Sequence, residues 1–308
     1  MSSNHVQLIE GERKRQARPF EVLMYLALAA LLVAVSSQAV SGEENRGAES
    51  RGAYFGQQPP GMAPEMFAPG FISTGAYEIT PTFSPGLDEV FFTRRPTEGG
   101  SDNKLYYSRK VDGVWQEPAL ASFSSGQMEF EAQFSCDGKR VYFGRGDLLC
   151  VSEKTADGWS KAQVLDEPVR EGMCAAIARN DNLYFVAWRS KKYGIFRAIP
   201  NGHGYAEPEL VIPKAAHPFV APDESYMVFD KYSFVDGKQK SALYVSFRDS
   251  TSGWSEPVKF GDEINATGTE LIAKVSPDGK YLFFQRKVDG NTDVWWVDAK
   301  VIEEVRGE

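Results

Sequence analysis

Three features predict an all-β chain built as a five-bladed β-propeller with four-stranded antiparallel blades. A turn signature recurs five times, an apolar or aromatic strand follows each copy, and an aromatic-led signature, ending in Pro in three of four copies, returns roughly 20–30 residues later in four of the units. Phe, Tyr and Trp make up 13% of the 308 residues, enough to fill several sheet-to-sheet interfaces.

The first element is an address. Arg13, Lys14, Arg15 and Arg18 precede an apolar run from Val22 to Val35, and Ser37-Gln38-Ala39 follows as a small-x-small pattern. The run has the length of a signal-peptide core and falls short of the ~20 residues that span a bilayer. Residues 1–39 are therefore expected to be a signal peptide cut after Ala39, or an uncleaved anchor if the leader is retained. Residues 40–60, rich in Gly, Ser, Glu, Gln and Pro, read as a linker, and 61–308 as the propeller.

The repeats come next. Ser84-Pro85-Gly86-Leu87-Asp88 precedes a strand beginning Glu89-Val90-Phe91-Phe92, and Ser135-Cys136-Asp137-Gly138 precedes one containing Val141-Tyr142-Phe143. Arg179-Asn180-Asp181-Asn182, Ala221-Pro222-Asp223-Glu224 and Ser276-Pro277-Asp278-Gly279 are the third to fifth copies. Pro presets its φ, and Asp-Gly or Asp-Asn tolerates the left-handed backbone of a tight hairpin. The later signature is Trp115-Gln116-Glu117-Pro118, Trp159-Ser160-Lys161-Ala162, Tyr205-Ala206-Glu207-Pro208 and Trp254-Ser255-Glu256-Pro257. Recurrence of Trp115, Trp159 and Trp254 at one place points to packing between strands.

The fifth unit lacks that strand and ends in a helix-like segment after Trp295-Trp296. Pro64-Glu65-Met66-Phe67-Ala68-Pro69 matches Pro208-Glu209-Leu210-Val211-Ile212-Pro213. Residues 62–68 are therefore expected to supply the outer strand of the last blade, a clasp without which the ring would expose unpaired sheet edges.

Ser276-Pro277-Asp278-Gly279-Lys280 followed by an aromatic strand resembles the Pro-Asp repeats of TolB-like, WD-repeat-like propellers of the bacterial envelope. The resemblance spans roughly residues 60–306. It implies the fold and a periplasmic or secreted location; it implies no activity.

Composition removes several function classes. The formal charge is −8, and no Lys/Arg-rich run follows residue 18, which argues against nucleic acid. Cys136, Cys150 and Cys174 form no CxxC pair and have no histidine close in sequence, so no metal or cofactor is expected; three buried thiols are the simplest reading, with one disulfide and a free thiol as the alternative. There is no G-x-S-x-G elbow, P-loop or dinucleotide fingerprint.

Aligned on the turns, Glu78, Glu129 and Glu270 share one register, with Met173 and Ala215 in units three and four. Two positions on come Thr80, Glu131, Ala175, His217 and Ile272, and the second strand of each unit ends near Arg94, Arg145, Arg189, Lys231 or Arg286. The start of a hairpin's first strand and the end of its second lie on one face. A candidate ligand site therefore comprises Glu78, Arg94, Glu129, Glu131, Arg145, His217, Lys231, Glu270 and Arg286 around one channel mouth. Alternatively, each Glu pairs with the cation of its own or an adjacent blade.

The expected function is non-catalytic binding of an envelope protein, peptide or glycan at that mouth. Two alternatives stand beside it. One is a glycoside hydrolase drawing a carboxylate pair from Glu78, Glu129, Glu131 and Glu270; the other is an envelope scaffold.

Overall fold

The structure, a computed structural model, describes residues 50–95, 102–249 and 253–307. The expected signal segment and residues 40–49 of the expected linker lie outside the described residues. No helix among the described residues is long and apolar enough to cross a membrane.

Among the described residues, a 3-10 turn at Ala53–Gly56 and a short strand β1 (Glu65–Met66) precede a run of hairpin-connected units. The first holds β2 (Tyr77–Phe83), β3 (Glu89–Arg95), β4 (Lys104–Val111), β5 (Val114–Trp115) and β6 (Ala119–Leu120). The second holds β7 (Glu129–Phe134), β8 (Arg140–Arg145), β9 (Leu148–Thr155), β10 (Gly158–Trp159) and β11 (Gln163–Val164). β12 (Met173–Ile177), β13 (Leu183–Arg189), β14 (Lys192–Ala198) and β15 (Glu209–Pro213) form the third. The fourth contains β16 (Ala216–Val220), β17 (Tyr226–Val235), β18 (Lys238–Asp249), β19 (Gly253–Trp254) and β20 (Val258–Lys259). β21 (Leu271–Val275), β22 (Tyr281–Val288) and β23 (Asn291–Asp298) precede a terminal helix α1 (Val301–Arg306).

Within each unit the strands pair antiparallel, the first three or four in sequence order, while β6, β11 and β20 pair back onto β4, β9 and β18. Between units the first strands touch cyclically, β2 to β7, β7 to β12, β12 to β16, β16 to β21, and β21 back to β2. This closed cycle of antiparallel sheets is a β-propeller. The first strands line the axis between neighbouring sheets and are buried along nearly their whole length, as in β2; β6 and β20, at the outside, are exposed.

The ring is closed by the N-terminal segment. β1 pairs antiparallel with β23, Glu65 opposite Trp296 and Met66 opposite Trp295. Phe67 N–H then donates to Val294 O (2.8 Å), and the Phe67 side chain is fully buried against Phe283 and Trp296. Packing begins before the expected domain start at residue 61. Tyr54 and Phe55 are buried in the same aromatic cluster, and Tyr54 Oη donates to Asp278 Oδ1 (2.8 Å). Two bulky aromatics in an otherwise polar stretch find an apolar seam between the first and last units.

The repeated turns carry their own hydrogen bonds. Ser135 Oγ donates to Asp137 Oδ1 (2.6 Å) and accepts from Arg140 N–H (3.0 Å); Ser276 and Asp278 do the same at 2.7 Å, with Lys280 N–H as the donor at 3.0 Å. Gly138 and Gly279 take the left-handed position of the turn. Leu87, Asp181 and Glu224 occupy it in the other units, each with positive φ. Outer tryptophans pack onto the preceding unit: Trp159 lies edge-on to Phe91 at 5.5 Å and Trp254 edge-on to Tyr184 at 6.1 Å.

Candidate functional site

The three aligned glutamates form three copies of one device. Arg94 Nε donates to Glu78 Oε1 (3.1 Å), Arg145 Nε to Glu129 Oε1 (2.9 Å), and Arg286 Nε to Glu270 Oε1 (3.0 Å), each within its own hairpin. The register sets this up, with Glu78 directly opposite Arg94 and Glu129 opposite Arg145. Each arginine also reaches back to carbonyls of the preceding loop: Phe71 and Ile72, Phe123, and Glu263 and Ile264. Loop hydroxyls and amides complete Glu129 and Glu270, whereas Glu78 Oε2 is left without a partner among the described residues. Thr74 donates to Glu78, Ser124 and Ser125 to Glu129, and Thr267, Gly268 and Thr269 to Glu270. All three glutamates are fully buried. Burial raises the Glu78 carboxyl above its ordinary value, with the Thr74 hydrogen bond and Arg94 pulling the other way. The devices tie each inter-unit loop to the hairpin that follows it.

The other two units depart from this pattern. In unit four Ala215 replaces the acid, and Lys231 lies half-buried near the Phe229 and Tyr244 rings, 5.9 and 5.5 Å from their centres. In unit three Met173 pairs with Val186, as Phe130 pairs with Gly144 in unit two. The residue in the glutamate register is therefore Gly172, one place earlier than the sequence alignment puts it. A Cβ there would sit 2.5 Å from Phe185 Cδ2, so no larger side chain fits. Arg189 nonetheless reaches back to the carbonyls of Pro168 and Glu171.

The same shift alters the inner register. Each first strand carries a β-bulge just past its start, and the bulged residues are Thr80, Glu131, Cys174, His217 and Ile272. Cys174 takes the place expected for Ala175. Four of the five have positive φ: Glu131 55°, Cys174 56°, His217 46° and Ile272 53°. A bulge re-aims a side chain, and units two, three and four here bring a carboxylate, a thiol and an imidazole together at the axis.

Cys174 Sγ donates to Glu131 Oε1 (3.3 Å), and His217 Nε2 lies 3.6 Å from the same oxygen. His217 Nδ1 is 2.7 Å from Asp230 Oδ1, which also accepts from Ile272 N–H (3.1 Å). Asp230 is fully buried and its Oδ2 has no hydrogen-bond partner. Lys274, buried one layer along the channel, donates to Gln133 Oε1 (3.1 Å). Burial alone would lower the His217 pKa, but the Asp230 and Glu131 carboxylates outweigh it and hold the ring well above its usual value. Burial, with Glu131 beside it, pushes the Cys174 thiol up to about 12. Burial likewise lowers the Lys274 pKa against the pull of Glu131. All three cysteines are free thiols.

Above this cluster opens a cavity of about 210 Å³ lined by Tyr77, Phe130, Glu131, His217, Tyr232 and Ile272 among others. One wall is raised by the β17–β18 hairpin, whose strands remain paired out to Val235 and Lys238. It carries Tyr232, 40% exposed, and Phe234, 76% exposed. Trp188, at the end of β13, is 71% exposed and lies 6.2 Å from Tyr193. A second cavity, about 170 Å³, opens among the repeated turns and is lined by Cys136, Arg179, Pro222, Tyr226 and Pro277 among others.

Of the sequence-derived set, Glu131 and His217 meet at the axis. Glu78, Glu129 and Glu270 are each occupied by Arg94, Arg145 or Arg286. Sequence reasoning missed Cys174, Asp230 and the exposed Trp188, Tyr232 and Phe234. A bulge at a fixed distance before each turn would have exposed the one-residue shift in unit three.

No family model matches the chain, and no curated protein does. Among solved structures the chain is similar to a protein assigned as TolB from Agrobacterium tumefaciens, at 12% identity over 73% of this chain and 78% of that one, TM-score 0.48. It is similar to TolB from Acinetobacter baumannii at 11% identity over 73% and 53%, TM-score 0.45. An α-L-arabinofuranosidase from Podospora anserina matches at 11% identity over 77% and 93%, TM-score 0.46. The propeller assignment rests on the strand pairing and the cyclic contacts of the first strands.

Proposed function

We propose that this chain is an extracytoplasmic, five-bladed, TolB-like propeller that binds a peptide or protein segment at the channel mouth above Glu131 and His217. The observation that carries this reading is the exposed Tyr232 ring, which lines the cavity over Glu131 and His217 and stands on the same strand as the exposed Phe234. Exposed aromatics anchored on hairpins supply large contact area at little cost in side-chain entropy. A cleft with few polar groups at its floor is the usual shape of a ligand site. The five cyclically arranged first strands and the β1 clasp support the blade count. The basic-then-apolar N-terminus supports export.

Of the four carboxylates that a glycosidase would draw on, Glu129 and Glu270 are saturated by arginine and loop donors and Glu78 is held through one oxygen by Arg94 and Thr74, which favours binding over hydrolysis. A random-sequence peptide library and a glycan array, each screened with the full-length protein, test the reading. Peptides that bind the wild type and are lost with Tyr232→Ala support it. Retention on glycans alone, or on neither, overturns it.

A further inference from the structure

The cluster at the axis has the composition and spacing of a metal site. Glu131 Oε1, Cys174 Sγ and His217 Nε2 lie within 4.8 Å of one another, and two of the three separations are 3.3 and 3.6 Å. Tetrahedral zinc, with bonds of about 2.0–2.3 Å, places its ligand atoms roughly 3.3–3.5 Å apart. The cluster therefore needs little movement to close on an ion.

The imidazole is already oriented for this role. Its Nδ1 faces Asp230 Oδ1 at 2.7 Å, which directs Nε2 toward Glu131. A carboxylate holding the far nitrogen of a ligating histidine is the common outer arrangement of protein zinc sites. Asp230 is itself fixed by the Ile272 amide.

A nucleophilic role for Cys174 fits less well. The Cys174–His217–Asp230 order resembles a catalytic triad, but an attacking cysteine needs a depressed pKa and some exposure. Cys174 is buried and its thiol is pushed up. A bound dication removes that obstacle, because a coordinating thiol is deprotonated outright.

Lys274, Tyr193 and Tyr232 face the same cluster.

We propose that Glu131, Cys174 and His217 bind a zinc-class transition-metal dication at the propeller axis, with Asp230 as positioning residue and the fourth coordination direction facing the channel-mouth cavity. Thiolate with imidazole selects zinc, cobalt or copper over magnesium and calcium. Three protein ligands and one open direction are the pattern of zinc sites that also accept water or a ligand oxygen. The site rests on the cluster itself and does not depend on the peptide reading.

The test is titration of chelator-treated full-length protein with Zn²⁺ and with Co²⁺, Mg²⁺ serving as control. One equivalent of Zn²⁺ should bind and raise the melting temperature, and one equivalent of Co²⁺ should give a thiolate-to-cobalt charge-transfer band. Cys174→Ser should abolish that band while Cys136→Ser retains it, and Asp230→Asn should weaken Zn²⁺ binding by about 10–100-fold. If substitutions at the axis fail to fold, the wild-type cobalt spectrum alone decides. Absence of a stoichiometric thiolate band, or a band that survives Cys174→Ser, overturns the proposal.

Discussion

Arg286 Nε donates to Glu270 Oε1 at 3.0 Å with both side chains buried, and the same arginine spans to the carbonyls of Glu263 and Ile264. One guanidinium thus holds an entire loop against the hairpin that follows it. Removing one member of a buried, fully bonded pair leaves the other uncompensated and costs about 3–5 kcal/mol.

Arg286→Met is therefore expected to lower stability by several kcal/mol in denaturant unfolding and to leave the affinity of the folded protein for its ligand unchanged. The double variant Glu270→Gln/Arg286→Met should lose less than the sum of the two single losses, because each single change strands its partner. Additive losses would show that the pair is not coupled.

The clasp makes a separate prediction. Phe67 is fully buried against Phe283 and Trp296 while its amide continues the pairing of β1 with β23. Phe67→Ala should cost about 3–5 kcal/mol. Limited proteolysis should then cut first between Ser50 and Phe67, at the opened edge. Unchanged resistance there would mean that the ring closes without β1.

The turn aspartates give the fold an acid limit. Hydrogen bonds from Ser135 and the Lys139 amide hold Asp137 below the ordinary 3.8. Those from Ser225 act alike on Asp223. At Asp278 burial pushes upward, but the Ser276 and Tyr54 hydroxyls outweigh it and the net shift is down. Between the depressed values and the unfolded one the folded chain binds fewer protons. Their stabilisation is therefore complete above 3.8 and is lost as pH falls through the folded values. Asp278→Asn should melt lower than wild type at pH 7, and the gap should narrow in acid; a gap that does not depend on pH contradicts this.

Gly172 explains the irregular third unit and can be tested there. Its missing side chain admits Phe185, and a Cβ would meet that ring at 2.5 Å. Gly172→Ala should destabilise by about 1–3 kcal/mol through overpacking. Thermal melting at or above the wild-type temperature would show that the ring yields freely.

The turns, outer tryptophans and clasp were legible because each rests on local chemistry: Pro and Asp-Gly at a hairpin, or an apolar segment matching one elsewhere. Glu78 and Arg94 were likewise legible as a pair, since two ends of one hairpin must face each other. The axial cluster was not. Cys174 and His217 are brought together by neighbouring blades, and the Gly172 shift moved the expected position onto Ala175. Trp188 and Phe234 carry no sequence signal that sets them apart from other strand aromatics. Phe234 is exposed because the β17–β18 hairpin stays paired well past the length of the other hairpins, out to Val235 and Lys238, which no periodicity records.

The central claim is that the mouth above Glu131 and His217, rather than the opposite one beside Arg179, is where this protein works. Isothermal titration of the full-length protein with a library-selected peptide tests it most directly. Tyr232→Ala should weaken binding about tenfold or more, the loss of a typical aromatic anchor, while Arg179→Ala leaves it unchanged. Binding lost with Arg179→Ala and kept with Tyr232→Ala would contradict the account.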